Sequence, residues 1–134
     1  MSTSKSITVV LAAVLCGLIS IASQCAAQGF PSRSIRFVVP YGAGGSPDVL
    51  ARVIGQRLGE NIGQQVVVDN RAGAGGIIAA EIVMKAPADG YTLFVADTGH
   101  LSINPSLYPK LPYDPLKDFT PVTTLYRTTF FLMV

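Results

Sequence analysis

Two copies of one local pattern dominate this sequence: a short β-branched apolar run, a glycine-rich loop, then apolar residues at helical spacing. The first copy passes from Ser34–Val39, closed by Pro40, through Tyr41-Gly-Ala-Gly-Gly-Ser46 into a stretch where Val49, Leu50, Val53, Ile54 and Leu58 recur at helical intervals. Ser46 is the expected N-cap, Pro47 the first helical residue and Gly59 the stop. The second copy passes from Gln65–Asp69 through the loop Asn70–Gly76 into Ile77, Ile78, Ile82 and Val83, as far as Lys85. A third apolar run, Tyr91–Ala96, follows the turn Pro87-Ala-Asp-Gly90. Strands that alternate with helices lie parallel and are joined by right-handed crossovers. The expected fold class is therefore α/β on a parallel sheet, with Ser34–Val39 buried on both faces.

Beyond the third run, Asn104–Pro115 holds four prolines, too broken for a long helix, and reads as an ordered surface excursion. Thr120–Tyr126 and Thr128–Val134 read as extended segments. An apolar strand at the very end of a chain is an unprotected pairing edge, so an incomplete protein is expected. The length of 134 residues allows one domain at most. Residues are 49% hydrophobic and 13% charged, and 10 Lys+Arg nearly cancel 8 Asp+Glu to leave +2. That balance excludes intrinsic disorder and argues against a nucleic-acid partner, which needs a basic patch.

The N-terminus has the order of a secretory signal: Lys5, an apolar stretch from Ile7 to Ile21, then small residues through Ala27. The stretch falls short of the roughly 20 apolar residues of a spanning helix, and no basic stop-transfer cluster follows it. Export with cleavage after Ala27 is expected, and hence a periplasmic location. Leu15 and Gln24, which precede Cys16 and Cys25, fit lipid modification poorly. Cleavage removes both cysteines, so neither a disulfide nor a thiol metal site remains.

In an open α/β sheet, ligands bind where loops leave the C-terminal ends of the strands. Three loops qualify: Tyr41–Ser46, Asn70–Gly76 and Asp97–Ser102. The first two open onto helix N-termini, where unpaired N–H groups and the helix dipole favour an anion, so a small carboxylate or phosphate is the natural guest. Neither loop is a nucleotide fingerprint. Gly42-Ala-Gly44 meets Pro47 where a third glycine is needed, Gly73-Ala-Gly75 meets Ile78, and no Lys-Ser/Thr pair follows either. For the second loop, the alternative is that its glycines merely permit a tight turn. Ser46, His100 and Asp97 or Asp48 could supply a nucleophile, base and orienter, but the nucleophile-elbow pattern is missing. One histidine with scattered carboxylates makes no metal site.

The ordered motifs carry a resemblance. They are Pro31-Ser-Arg-Ser-Ile-Arg-Phe-Val-Val-Pro-Tyr41, Gly44-Gly-Ser-Pro-Asp48 with Leu50-Ala-Arg52, Val66-Val-Val-Asp-Asn-Arg71 and Gly73-Ala-Gly-Gly76. Asp89-Gly-Tyr-Thr-Leu93, Asn104-Pro-Ser-Leu-Tyr108, Leu111-Pro-Tyr-Asp-Pro115 and Asp118-Phe-Thr-Pro-Val122 complete the series. Together they resemble the periplasmic substrate-binding receptors of tripartite tricarboxylate transporters, the Bordetella-type uptake receptors. The resemblance implies a lobe of a periplasmic-binding-protein (Venus flytrap) fold with the second lobe missing. Residues 28–124 would form the N-terminal part of lobe 1, and 125–134 the start of the hinge crossing.

It also implies a small organic acid or other carboxylate as ligand, permease subunits as partners, no cofactor, no catalysis, and a monomer at full length. By position, Tyr41, Gly42, Ala43, Gly45 and Asp48 match the first ligand-side loop, and Thr98, Gly99 and His100 lie in the third. Two departures stand out: Ala72 replaces a usual proline, and Asp97 a small hydroxyl residue. At the ligand edge Asp97 would disfavour plain dicarboxylates; alternatively, it points away and caps the turn. An exported hydrolase using Ser46 and His100 is the rival reading, and a fragment that binds nothing is the third.

Overall fold

Strand β1 (Ile35–Val39) is the central strand of the sheet, and its apolar residues Ile35, Phe37, Val38 and Val39 are all buried, with Arg36 between them partly exposed. In the computed structural model, which describes residues 29–127, β1 pairs in parallel with β2 (Val66–Asn70) on one side and β3 (Thr92–Phe94) on the other. The register sets Ile35 opposite Val66, Val39 opposite Asn70 and Phe37 opposite Leu93. The expected parallel α/β sheet is thus observed. The leader and the segment Thr128–Val134 lie outside the described residues. The chain divides into two units, Met1–Ser32 and Arg33–Val134. Of the first, only residues 29–32 are described, an irregular segment containing a cis Phe30–Pro31 peptide bond.

Helix α1 (Ser46–Ile62) packs on the face of β1 that presents Ile35, Phe37 and Val39. Its buried stripe is Asp48, Ala51 and Gly55, flanked by the partly buried Ile54, Leu58 and Ile62. The expected stripe through Val49 and Val53 is corrected, since both are at least half exposed. The small residues Ala51 and Gly55 let the helix sit close to the sheet. A Cβ on Gly55 would lie 3.0 Å from Val66 Cγ1, so the helix turns this narrow face inward.

Both expected ends of α1 are also corrected. Gly45 is the N-cap and no side chain caps the helix there, so the Ser46 hydroxyl does not have the capping role its position suggested. At the other end, Gly59 lies inside the helix, and Gly63, with φ 67°, closes it by donating its N–H to Gly59 O. A left-handed residue one turn later is the ordinary way to satisfy the last carbonyls.

A 3₁₀ turn (Ala74–Gly76) leads into helix α2 (Ile77–Met84), which packs on β1 and β3 with Ala79 and Ala80 fully buried. After β3, the segment expected to be a loop, Asp97–Ser102, is instead a helical turn. Gly99–Ile103 is π-helical and runs directly into the single-turn helix α3 (Asn104–Leu107).

The segment Asn104–Pro115 is only in part the expected surface excursion, since it opens with α3 and buries Asn104. Tyr113 is buried, and Phe119 stacks on both Tyr113 and Phe94, at centroid distances of 5.7 and 5.5 Å. Residues 120–127 pair with no described strand. Among the described residues, no helix is long and apolar enough to cross a membrane.

Candidate ligand-binding site

Because all three strands run parallel, Val39, Asn70 and Phe94 deliver their following loops to one edge of the sheet. A cavity of about 330 Å³ opens there, lined by Pro40, Tyr41 and Gly42 from the first loop, Ala72, Gly73, Gly75 and Gly76 from the second, and Gly99, His100 and Asn104 from the third. Of the residues singled out from sequence, Tyr41, Gly42, Gly99 and His100 come together here. Ala43, Gly45, Asp48, Asp97 and Thr98 are not among the lining residues. Pro40, the second-loop residues and Asn104 were missed. The glycines of the second loop had pointed to anion binding as a loop, whereas nothing local in the sequence distinguishes Asn104.

The first loop is tied down from beneath. Asp48, 2% exposed, accepts the Gly44 N–H at 2.8 Å and the Arg52 Nε–H at 3.1 Å through Oδ2. Its buried Oδ1 accepts no hydrogen bond but lies 2.9 Å from an Arg52 terminal nitrogen, so the ion pair meets its charge. Arg52 also donates to Asn70 Oδ1, and Asn70 Nδ2 donates to Tyr41 O, each at 3.1 Å. The Arg52 hydrogen bond, followed by that of the Gly44 amide, holds the Asp48 carboxyl down at about 2.

The third loop is organised by Asp97. Its Oδ2 accepts the Tyr41 hydroxyl proton, and its Oδ1 accepts the Gly99 N–H at 2.8 Å and lies 2.7 Å from His100 Nδ1. The carboxylate therefore caps the helical turn that carries His100 and anchors Tyr41. Burial raises the Asp97 carboxyl, but the Tyr41 hydroxyl, His100 and the Gly99 and His100 amides outweigh it, leaving the group below its ordinary value. Burial, and then the Asp97 hydrogen bond and charge, push the Tyr41 phenol up to about 12.

His100 is 3% exposed, with its ring edge-on to Tyr41 and Phe94 at 5.5 and 5.7 Å. It abuts the second loop at Gly76, where a Cβ would fall 2.0 Å from Nε2. No hydrogen bond among the described residues joins Ser46 to His100, and no group of three or more potential metal ligands occurs among them.

Besides the Tyr41, His100 and Asn104 side chains, the polar groups along the cavity are those of the backbone. No Lys or Arg lines it. The N–H groups of Gly42 and Gly75 bond to no other described residue. Both glycines are exposed, so water satisfies these N–H groups in the ligand-free protein, and donors ahead of helix starts are of the kind that suits an anion displacing it.

Comparison with known proteins agrees with this geometry. The family model described as "Tripartite tricarboxylate transporter family receptor" matches residues 50–134. Protein BugT of Bordetella pertussis is 45% identical over 104 residues, covering 77% of this chain and 32% of its own length. MatC of Rhodopseudomonas palustris, solved with bound malate, is 44% identical with a TM-score of 0.67, over 69% of this chain and 32% of that one. An R. palustris protein solved with adipate is 48% identical with a TM-score of 0.67, over 69% and 31%. The chain thus spans about a third of the length of the relatives it matches. These matches lend no support to the hydrolase reading.

Proposed function

The chain belongs to the tripartite tricarboxylate transporter receptor family, and from that premise we propose that it is the ligand-capturing part of a solute-binding receptor whose guest is a small organic acid. The observation that carries the proposal is that two glycine-rich loops line one cavity, lined by no Lys or Arg, and that the Gly42 and Gly75 amides within them bond to no other described residue. A carboxylate held by backbone donors meets fixed dipoles that cost no side-chain ordering. Malate and adipate in the two related structures are guests of this chemical class.

On this reading Tyr41, Gly42, Gly99 and His100 contact the ligand together with the second loop. Ala43, Gly45, Asp48, Asp97 and Thr98 shape the loops around it. The receptor works in the periplasm after removal of residues 1–27, uses no cofactor, performs no chemistry, and hands its ligand to membrane permease subunits as a monomer at full length. Residues 28–124 belong to the first lobe, and 125–134 begin the crossing between lobes.

Titration of ¹⁵N-labelled protein with malate and with adipate tests the proposal at the residues that carry it. The Gly42 and Gly75 amide resonances are expected to shift saturably with at least one of the two acids. Shifts confined to the groove that Arg52, Gln56 and Gly59 of α1 form with Val66 and Val68 of β2, or no saturable shift up to millimolar acid, would overturn it.

A further inference from the structure

The second glycine-rich loop is the least self-supporting wall of the cavity. Four consecutive residues have positive φ: Gly73 at 126°, Ala74 at 48°, Gly75 at 61° and Gly76 at 83°. Glycine accepts such angles without a steric cost, but a free glycine chain visits many others equally well, and Ala74 does carry that cost. Within the loop the support is one turn, Gly76 N–H to Gly73 O at 2.9 Å, and the bond that Ile77 N–H makes to Ala74 O. A loop of this kind keeps one shape only when something outside it fixes that shape.

Besides the packing of His100 and Tyr108, the loop is held from outside by a hydrogen bond from the Asn104 side chain. Asn104 is 6% exposed, lines the cavity, and sits at the start of α3, 29 residues from the loop it touches. Its Nδ2 donates one hydrogen to Gly75 O at 3.0 Å and the other to Tyr113 Oη at 3.1 Å. The Tyr113 hydroxyl in turn donates to His100 O at 2.7 Å. The amide is therefore fully used as a donor, and the phenol fixes which way it points. Tyr108 presses on the same peptide from another side, with its hydroxyl 2.8 Å from where a Gly75 Cβ would be.

Gripping the Gly75 carbonyl fixes the orientation of the Gly75–Gly76 peptide plane. The same plane carries the Gly76 N–H, which bonds Gly73 O, so the Asn104 grip and the turn hold one peptide from both of its polar ends and the loop keeps its shape.

We propose that Asn104 is a positioning residue for the carboxylate pocket: through its bond to Gly75 O it locks the second glycine-rich loop in the ligand-ready shape and couples that loop, by way of Tyr113, to the turn bearing His100. The inference rests on the receptor reading for the identity of the guest. Its structural half, the ordering of the loop, holds without any ligand. A residue that only stabilised the fold would affect all regions together, whereas Asn104 acts on the loop.

Two measurements on the ligand-free protein test the ordering. First, both Asn104 side-chain amide protons are expected to exchange with solvent far more slowly than those of the exposed Asn61. Second, ¹⁵N relaxation should give Gly75 and Gly76 order parameters typical of rigid backbone, about 0.85. In Asn104→Ala they should fall below about 0.6 while Phe37–Val39 stay unchanged.

With malate and adipate as probes, Asn104→Ala should weaken binding at least tenfold at a temperature where the variant is fully folded. Tyr113→Phe, which cuts the link to His100 O and one of the two bonds that orient the amide, should also weaken binding, but by less than Asn104→Ala. Rapid Asn104 side-chain exchange in the parent protein overturns the proposal even if the alanine variant does not fold. A rigid loop and unchanged affinity in Asn104→Ala overturn it as well. Failure of the parent protein to bind either acid counts against the receptor reading alone, since the exchange and relaxation measurements remain decisive for the loop.

Discussion

Gly76→Ala isolates the tightest contact at the site. At φ 83° an alanine carries the left-handed cost of about 1–2 kcal/mol. Its Cβ also falls 2.0 Å from His100 Nε2, 2.1 Å from Cδ2 and 3.2 Å from Pro40 Cβ. The imidazole has little freedom to retreat, because Asp97 holds Nδ1 and Tyr41 and Phe94 flank the ring. Overpacking a rigid site costs about 1–3 kcal/mol, so the total is about 2–5 kcal/mol, a large share of the 5–15 kcal/mol typical of a domain.

Gly63→Ala is the matched control, since its φ is 67° and nothing lies within 4 Å of the added carbon. It carries the backbone cost alone, and the entropy that alanine removes from the unfolded chain is common to both variants. Urea unfolding followed by circular dichroism gives the difference, provided the slope with denaturant is unchanged. The expected excess for Gly76→Ala is about 1–3 kcal/mol. Adding His100→Ala should recover part of it, so that the double variant loses less than the sum of the two singles. Equal losses at Gly63 and Gly76, or strict additivity with His100→Ala, would refute the packing argument.

Tyr41→Phe removes the hydroxyl that lowers Asp97. The depressed Asp97 contributes stability that is present above its unfolded value of about 3.8 and is lost as pH falls through its folded value, so acid unfolding should become less steep in the variant. The same substitution flattens the alkaline limb, because Tyr41, raised to about 12, contributes stability that is present below pH 10 and lost as pH rises through about 12. Arg52→Gln should let the Asp48 carboxyl, now held at about 2, titrate closer to 3.8 in a carbon-detected pH series; an unmoved titration would remove Arg52 as the cause. Ser46→Ala should change stability by less than about 0.5 kcal/mol in urea unfolding, because no side chain caps α1 and Ser46 is exposed.

The sheet was legible because its signal is local. An apolar run such as Ile35–Val39 between a glycine loop and a polar flank has few alternatives, and its parallel order follows from the helices that separate the strands. What failed depended on tertiary packing. Val49 and Val53 match a helical period as well as Ala51 and Gly55 do, yet the sheet takes the narrow stripe, whose small residues let the helix come up against Val66. Gly59 reads as a stop only if helices avoid glycine, and here its missing side chain makes room for Gln64 O, 2.9 Å from the Cβ position. At the site, loop glycines mark themselves in the sequence by their spacing. Asn104 and Tyr113 act through partners 29 and 13 residues away, and no local pattern announces such a bond.

Two aspartates stand near a cavity proposed to receive a carboxylate, and their bonding resolves the apparent conflict. Asp48 faces its own loop and Arg52, so its charge is compensated beneath the site. Asp97 has no Lys or Arg partner among the described residues, but its oxygens accept the Tyr41 hydroxyl and the Gly99 and His100 amides. Donors directed at a carboxylate spread its field into the protein, and the group then serves as the brace that sets the His100 turn against Gly76. On the proposed reading the acids shape the loops, and the backbone amides they leave unbonded are offered to the ligand. Recognition of this kind ranks guests less by total charge than by whether a carboxylate reaches Gly42 and Gly75 together within about 330 Å³. The shape of the second loop, and with it the grip of Asn104 on Gly75, then bears on selectivity as directly as any side chain in the wall.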